Sequence, residues 1–241
     1  MENLNKQIQE LQKIIDTYDN IVFFGGAGVS TESGIPDFRS VDGLYHQQYD
    51  YPPETILSHS FYRSHPEEFF RFYRNKMLFP KAQPNAAHKK LAEWEAEGRL
   101  KAVITQNIDG LHQASGSRNV LELHGSVHRN HCQRCGKFYG LEHILRTEGV
   151  PRCSCGGIIK PDVVLYEEGL DQGTLEAAVR ALAEADMLMI GGTSLNVYPA
   201  AGLIRYYQGH RLVLLNKSPV ARDLAADLVI TDPIGETLAQ L

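Results

Sequence analysis

The 241-residue sequence lacks any apolar run that approaches the roughly 20 residues a helix needs to cross a bilayer. It also lacks a signal peptide, because the N-terminal segment carries Leu4, Ile8, Leu11 and Ile15 on one face of an amphipathic helix, with charged residues between them. These two absences argue against a secreted or membrane-spanning protein. We therefore expect a soluble, cytoplasmic protein.

The chain has no large excess of charge of either sign. Its 24 Lys and Arg residues and 29 Asp and Glu residues give a formal net charge of -5. No basic field therefore attracts nucleic acid or a membrane surface, and no acidic tail favours disorder. Repeats and low-complexity tracts are also missing. With 43% hydrophobic residues, the chain can bury the core of one domain with a small insertion, and we expect a monomer.

Cysteine is scarce, and all four cysteines fall within one window. Two residues separate Cys132 from Cys135, and one residue separates Cys153 from Cys155. The first pair and the 17-residue gap match a zinc ribbon, whereas the second pair is one residue shorter than the commonest form. Four thiolates fill the tetrahedral shell of zinc, so this site would stabilise the fold. Free or disulfide-bonded thiols, and His131 in place of one cysteine ligand, remain alternatives.

Short apolar runs rich in branched residues recur along the chain. They are IVFF (21–24), AVIT (102–105), VLEL (120–123), MLMI (187–190), LVLL (212–215) and LVIT (228–231). Helical patterns over residues 86–97 and 174–185 lie between some of them. This alternation predicts an α/β fold with a Rossmann-like, doubly wound parallel sheet. Functional residues are then expected at the carboxyl ends of the strands.

Two segments break this alternation. Residues 40–83 are rich in aromatic residues and proline and contain the helical stretch PEEFFRFYRNKML, whereas residues 129–159 hold the cysteines. We interpret them as a helical insertion and a zinc-ribbon insertion that together form a small lobe. The Rossmann-like domain would then comprise residues 1–39, 84–128 and 160–241.

The loop after the first run begins like a dinucleotide-binding loop and ends differently. Gly25 to Gly28 provide the tight turn that lets backbone approach phosphate. The fingerprint G-x-G-x-x-G then requires a glycine where this chain has Thr31, and PDFR follows at 36–39. An ordinary dehydrogenase is disfavoured, because the ribose-binding acid expected about 20 residues after the glycines is replaced by an inserted loop.

Polar residues follow other runs. Gln106, Asn107 and Asp109 end the second run, and a partly buried crevice requires each to find a partner, such as a carboxamide or a ribose hydroxyl. A helix N-cap would account for only one of them. His124 follows the third run, where a pKa of about 6.5 suits a general base. Small and hydroxyl residues at 192–194 offer a second phosphate-sized turn.

The segments GAGVSTESGIPDFRS, TQNIDGLH, LHG, the cysteine quartet, GTSLNVYPA and LLN arrive in the order and approximate spacing of the sirtuin family. The resemblance covers almost the whole chain, which is identified as a member of these NAD-dependent protein lysine deacylases. It implies NAD and zinc as cofactors and acylated-lysine proteins or peptides as partners. The implied products are free lysine, nicotinamide and O-acyl-ADP-ribose.

The resemblance also implies residue roles. His124 and Asn107 would be catalytic, with His124 as the general base. Residues 31–39 would close over the nicotinamide end of NAD, with Phe38 shielding the reacting ribose carbon. The implied cofactor-binding residues are Gly26, Ala27, Gly28, Thr31, Asp37, Phe38, Arg39, Gln106, Asn107, Ile108, Asp109, Gly192, Thr193, Ser194, Asn216 and Lys217.

The segment PDVVLYEEGL, residues 161–170, resembles the strand with which the family pairs its substrate peptide by β-augmentation. The implied substrate-binding residues are Val164, Leu165, Tyr166 and Val197. Many members have Phe-Gly-Glu where this chain has Tyr166, Glu167 and Glu168. Without that glycine, the sequence leaves open the local backbone conformation and hence the peptide preference.

Acyl preference rests on the helical stretch before residue 84. Members that prefer acidic acyl groups carry Tyr-x-x-Arg there, because arginine binds a carboxylate with two hydrogen bonds. Here Tyr73 and Lys76 occupy the Tyr and Arg positions of this motif, and an alternative register places Phe70 and Tyr73 there instead. Acetyl and longer neutral acyl groups are favoured, and succinyl stays open. The alternative functions are a protein mono-ADP-ribosyltransferase on the same fold and a non-catalytic NAD-sensing module.

Overall fold

The computed structural model describes residues 2–37, 51–218, 220 and 224–241. The strands within these ranges are β1 (Ile21–Gly25), β2 (Leu100–Thr105), β3 (Val120–Glu122), β4 (Gly125–Cys132), β5 (Phe138–Tyr139), β6 (Ile159–Val163), β7 (Met187–Gly191), β8 (Arg211–Leu215) and β9 (Leu228–Ile230). The α-helices are α1 (Glu2–Thr17), α2 (Pro53–Ile56), α3 (His59–Ser64), α4 (Pro66–Lys76), α5 (Ala86–Ala96), α6 (Leu111–Ala114), α7 (Leu141–Arg146), α8 (Gln172–Glu184) and α9 (Ile234–Leu238). None of the helices in the described ranges combines the length and hydrophobicity needed to cross a membrane.

Six parallel strands form the main sheet, in the order β3-β2-β1-β7-β8-β9. Each of the six predicted apolar runs contributes one of these strands, which confirms the doubly wound α/β fold. Strand order reverses between β1 and β7, because the chain first builds β2 and β3 on one side and then returns to build β7, β8 and β9 on the other. The carboxyl ends of β1 and β7 therefore flank the crevice in which such sheets bind ligands.

Helices cover both faces of the main sheet. Because successive side chains of a strand point to opposite faces, neighbouring residues enter different cores. Phe23 packs with Leu91 in one core, beneath α1 and α5. Phe24 packs with Leu182 and Ile190 in a second core, beneath α8. Burial on both faces explains why these strands read as continuous apolar runs.

A smaller unit contains the antiparallel sheet β5-β4-β6 and the helices α2, α3, α4 and α7. Its core is formed by Phe69, Phe70, Tyr73, Ile144 and Ile159, all fully buried. Helix α4 begins with proline and two glutamates and ends with basic residues. Proline suits the first helical position, and these charges interact favourably with the helix dipole at each end. The division into residues 1–39, 84–128 and 160–241 against 40–83 and 129–159 stays a prediction.

Candidate active site

The glycine-rich loop after β1 packs directly against the loop after β7. The Gly28 N–H donates to the Gly192 carbonyl at 2.8 Å, and the Gly26 N–H donates to the Gly191 carbonyl at 3.3 Å. A Cβ on Gly28 would lie 2.7 Å from the Gly192 Cα, which is closer than real Cβ atoms approach backbone. The absence of side chains therefore lets the two strand ends meet at the point where strand order reverses.

A buried polar cluster lies where β2 ends. The Ser30 hydroxyl, 1% exposed, donates to Asp109 Oδ2 at 2.7 Å and accepts from Asn107 Nδ2 at 3.1 Å. The other Asp109 oxygen accepts from the Leu111 N–H at 2.9 Å, where α6 begins. Asp109 thus also accepts a hydrogen bond from the first turn of a helix, as the helix-cap alternative in the sequence expects for one of the polar residues after β2. Ser30 is not predicted from the sequence, because its only signal is that it is a small polar residue directly after G-A-G-V.

Two histidines extend this cluster into the core. His88 Nδ1 accepts from the Asn85 N–H, so Nε2 carries the proton of the neutral ring and lies 3.5 Å from Ser30 Oγ. The His112 ring meets it edge-on, and within the described chain neither His112 nitrogen has a hydrogen-bond partner. Burial lowers the pKa of His88 to about 4, against the opposing effect of Asp109, and lowers the pKa of His112 to about 3. Both rings are therefore neutral at pH 7.

His124 lies between β3 and β4. Its Nδ1 is 3.0 Å from the Gln106 carbonyl oxygen, which can only accept, so Nδ1 carries the proton and Nε2 keeps its lone pair. Burial lowers the pKa of His124, and the bond to Gln106 opposes this shift. Gly125 follows with φ of 77°, and a Cβ there would overlap the Asp162 carbonyl oxygen. A tight glycine turn thus presents a neutral imidazole that can accept a proton.

Other predicted cofactor residues lie along the same edge of the sheet. Gln106 Nε2 donates to Thr193 Oγ1 at 2.9 Å and links the ends of β2 and β7. Asn216, 8% exposed, follows β8, and Lys217 is exposed beside it. The Thr31 hydroxyl is exposed and bonds back within its own loop. Ligands of parallel sheets bind at these carboxyl ends.

A cavity opens at this edge. The predicted site residues that line it are Ala27, Gln106, Asn107, Ile108, Asp109, His124, Val164, Leu165, Tyr166 and Val197. The predicted residues outside its lining are Gly26, Gly28, Thr31, Asp37, Gly192, Thr193, Ser194, Asn216 and Lys217. Phe38 and Arg39 lie outside the described residues. The cavity therefore brings the proposed base together with the QNID segment and the proposed peptide-binding segment.

The helices of the smaller unit supply an apolar part of the cavity wall. Leu57 comes from the end of α2, and Met77 and Phe79 follow α4. These three residues are not predicted from the sequence, because they are apolar and carry no polar group that marks a site. Lys76, the last residue of α4, also lines the cavity. Tyr73, one turn earlier, is fully buried and outside the lining.

The end of β6 continues into another part of the wall. The Val164 N–H donates to the His124 carbonyl at 3.0 Å, and Tyr166 makes two backbone hydrogen bonds to residues 57–59. Within the described ranges, neither the Val164 carbonyl nor the Glu167 N–H makes a backbone hydrogen bond. The segment thus has open main-chain groups, as the edge of a sheet does.

The four cysteine sulfurs converge at one end of the small sheet. All lie within 4.8 Å of one another, with Cys132 Sγ 3.4 Å from Cys155 Sγ and Cys135 Sγ 3.6 Å from Cys153 Sγ. Tetrahedral zinc, with bonds of about 2.3 Å, separates its sulfurs by about 3.8 Å, whereas a disulfide requires about 2.05 Å. The donor set therefore fits zinc. The shortened second pair still places both sulfurs, and His131 bonds to Asp162 instead.

Comparison with known proteins places this geometry in context. A model of the Sir2 family matches residues 26–199. The chain is 60% identical over 236 residues to an NAD-dependent protein deacetylase of Clostridium acetobutylicum, with 96% of each chain covered. A solved structure that concerns the mechanism and regulation of Sir2 enzymes superposes with a TM-score of 0.88 at 41% identity, over 100% of this chain and 96% of that one. A Sir2 variant solved with a deacetylated p53 peptide and 3'-O-acetyl ADP ribose superposes with a TM-score of 0.87 at 38% identity, over 96% of this chain and 95% of that one.

Proposed function

The chain belongs to the Sir2 family, and on that basis we propose that it is an NAD-dependent protein lysine deacetylase. It would consume NAD and one water molecule, transfer the acyl group of a modified lysine to the ADP-ribose part of NAD, and release free lysine and nicotinamide. One observation carries this proposal: a neutral His124, whose Nε2 has no hydrogen-bond partner among the described residues, lines the same cavity as Asn107, Asp109 and the segment after β6. Base, cofactor-binding groups and peptide-binding edge then share one space.

The carboxyl edge of the main sheet fits NAD. Gly26, Gly28 and Gly192 keep the backbone free of side chains where a pyrophosphate would approach, and Thr193 offers a hydroxyl beside them. Asn216 would bond the adenosine ribose. When bound, NAD supplies an electrophilic ribose carbon and nicotinamide as the leaving group.

The Ser30 cluster would hold the nicotinamide carboxamide. An asparagine side chain has two N–H donors and one acceptor, and among the described residues Asn107 uses one donor, toward Ser30. Its remaining donor and its oxygen match the complementary atoms of a carboxamide. Ser30 and Asp109 fix the orientation of Asn107, because the serine hydroxyl accepts from the amide and donates to the carboxylate. Preorganised donors of this kind stabilise charge without reorganisation.

His124 would act as the general base. Its Nδ1 proton is held by the Gln106 carbonyl, so Nε2 is the atom that removes a proton from a ribose hydroxyl. The neutral, active form persists below the ordinary histidine pKa because burial lowers the pKa of His124. The apolar residues Leu57, Met77 and Phe79 would exclude water that competes with acyl transfer.

The substrate peptide would add a strand beside residues 164–167. The Val164 carbonyl and the Glu167 N–H, which make no backbone hydrogen bond among the described residues, offer main-chain partners, which is how β-augmentation gains affinity without sequence specificity. Acetyl and other neutral acyl groups would be preferred, because the cavity wall near α4 is mainly apolar and presents Lys76 where a bidentate arginine would bind a carboxylate. Tyr73 does not contribute to this wall, and burial raises the pKa of its hydroxyl.

Replacing the proposed base tests the mechanism. We expect His124→Ala to reduce deacetylation by about 100-fold or more, the usual contribution of general-base catalysis, while NAD binding measured by calorimetry changes little. His210→Ala serves as the matched control, because His210 is exposed and outside the cavity lining. Deacetylation by His124→Ala at a rate comparable with the control would overturn the assignment.

A further inference from the structure

The turn after β6 contains a residue in an unusual backbone conformation. Glu167 has φ of 74°, in the left-handed region that favours glycine. A side chain there costs free energy, so the surrounding contacts must stabilise it. Glu167 is exposed and lines the same cavity as the proposed peptide-binding segment.

Two hydrogen bonds hold the Glu167 carboxylate from one side. Oε2 accepts from the Ser60 hydroxyl at 2.6 Å and from the Ser60 N–H at 2.9 Å, both at the start of α3. These bonds lower the pKa of Glu167, the hydroxyl bond first, so the group is negatively charged at neutral pH. Among the described residues, Oε1 has no hydrogen-bond partner. The carboxylate is thus oriented and charged, with one oxygen open to a ligand.

Both carboxylate oxygens of the adjacent Glu168 already have partners within the protein. Glu168 Oε2 accepts from Lys160 Nζ at 3.1 Å and from the Leu165 N–H at 2.9 Å, and its Oε1 lies 2.8 Å from His59 Nδ1. Lys160 is itself buried beneath the turn. Glu168 therefore stabilises the turn internally, and its charge is compensated.

Exposed aromatic rings accompany Glu167 in the cavity lining. Tyr166 is 39% exposed and precedes it, and Tyr198, 63% exposed, comes from the loop after β7. A tyrosine ring attracts a cation over its face, and a neighbouring carboxylate adds to that attraction. An acylated lysine is uncharged, so a cation recognised here must come from another residue of the peptide.

We propose that Glu167 is a specificity-determining residue that selects acyl-lysine peptides with an arginine or lysine near the modified lysine. The inference rests on the proposed function, because it concerns the substrate of the same cavity. Val164 and Glu167 line the same cavity, and three residues of chain span at most about 10 Å. The basic residue should therefore lie within about three positions of an acyl-lysine bound beside Val164. An exposed ion pair corresponds to a preference of about two- to five-fold.

The experiment uses the full chain and acetyl-lysine peptides that carry Arg, Gln or Glu at one position, scanned over three residues on either side. Competition between peptides gives ratios of kcat/KM. We expect the Arg peptide to exceed the Gln peptide by about two- to five-fold at one or more positions, and the ratio to fall as salt is raised. The Glu peptide should be the slowest.

Two substitutions assign the preference to Glu167. Glu167→Gln keeps an oxygen that accepts from Ser60 and removes the charge, and Glu167→Gly removes the side chain at a φ that glycine tolerates. Both should bring the Arg-to-Gln ratio close to 1. Glu176→Gln is the charge-matched control, because Glu176 is an exposed residue of α8 outside the cavity lining, and it should keep the wild-type ratio.

The outcomes distinguish failure of the proposed role of Glu167 from failure of the proposed deacetylase function. Deacetylation of all peptides with equal kcat/KM, or a preference that persists in both Glu167 variants, would overturn the role of Glu167 alone. Absence of NAD-dependent deacetylation from every peptide would contradict the proposed function itself, and this inference with it.

Discussion

Two buried histidines, His88 and His112, lie behind the polar residues of the cavity wall. The Ser30 hydroxyl joins Asn107, Asp109 and His88 in one hydrogen-bonded cluster, and His112 packs against His88 without a polar partner among the described residues. Such a cluster is stabilised only while its histidines stay neutral, since protonation would place charge in the core.

This arrangement predicts acid-sensitive stability. Burial lowers the pKa of His88 to about 4 and that of His112 to about 3, whereas both titrate near 6.5 in the unfolded chain. Below pH 6.5 the unfolded state therefore binds more protons, and the free energy of unfolding should fall with pH by up to about 1.4 kcal/mol per pH unit for each histidine, down to about pH 4. Urea unfolding followed between about pH 7 and pH 5 measures this slope.

A matched variant isolates one histidine. His112→Leu conserves volume and removes two ring nitrogens that have no partner in the described structure. The variant should be at least as stable as the wild type at pH 7 and should show a shallower loss of stability on acidification. An identical slope in both proteins would contradict the burial-based account of His112.

Some residues of the candidate site can be predicted from the sequence and others cannot. His124 and the QNID segment are identifiable because they are polar residues at strand ends, a position with a known physical consequence. Ser30 and Leu57 are not, since a serine in a loop or a leucine in a helix is common, and only three-dimensional contacts bring them to the cavity. Glu167 stands out in sequence only through the glycine it replaces.

At the scale of secondary-structure elements, helix α5 connects the glycine-rich loop to the core. Asn85 precedes the helix, and its side-chain oxygen accepts from the Ala87 and His88 N–H groups. The Asn85 amide donates to the Val29 carbonyl at 2.7 Å and to Ser33 Oγ at 3.0 Å. One side chain therefore caps α5 and positions the loop beside the cofactor-binding edge.

Substitutions at Asn85 separate these two roles. Asn85→Ala should lower the free energy of unfolding by about 2–3 kcal/mol, because it removes the cap and both donors to the loop. Asn85→Asp keeps the acceptor for the cap and adds a negative charge that the N-terminus of α5 favours, but it places an oxygen against the Val29 carbonyl in place of a donor. It should therefore be less destabilising than Asn85→Ala while still weakening NAD binding. Denaturant unfolding and calorimetric titration with NAD measure the two effects. Equal stability of the Ala and Asp variants would contradict the capping role.

The cysteine cluster predicts about one zinc per chain. Removing zinc with a chelator, or substituting Cys153→Ser, should unfold the small sheet and abolish activity, because β6 leads directly into the cavity wall. Ser154→Ala, between the two ligands, leaves all four thiolates and should retain metal. Elemental analysis and circular dichroism provide the measurements. Folded, active protein without metal would contradict the zinc assignment.

The elements differ in how well sequence predicts them. The six strands of the main sheet are evident as apolar runs, because burial on both faces removes polar residues from them. By contrast, β4 reads GSVHRNHC and β5 has only two residues. Strand β4 is mixed in polarity, and it pairs with β6 across 20 or more residues of chain, as between Cys132 and Ile159. No local pattern indicates such pairing.

At the scale of the whole molecule, the cavity is shared between the main sheet and the smaller unit. The main sheet contributes the glycine-rich loop, the QNID segment and His124, and the smaller unit contributes the ends of α2, α4 and β6. The proposed cofactor-binding and peptide-binding groups thus come from separate structural units that both line this cavity. The monomeric state, the cytoplasmic location and the lack of nucleic-acid binding stay predictions.

The central claim is tested most directly by mass balance in a single reaction. The full chain is incubated with NAD and acetyl- or succinyl-lysine peptides, and mass spectrometry follows peptide, nicotinamide and O-acyl-ADP-ribose. We predict NAD-dependent loss of the acetyl group, with one nicotinamide and one O-acetyl-ADP-ribose formed for each lysine released, and slower loss of the succinyl group. Intact peptides accompanied by ADP-ribose attached to protein, or by bound NAD without turnover, would contradict the proposal that this chain is a deacetylase.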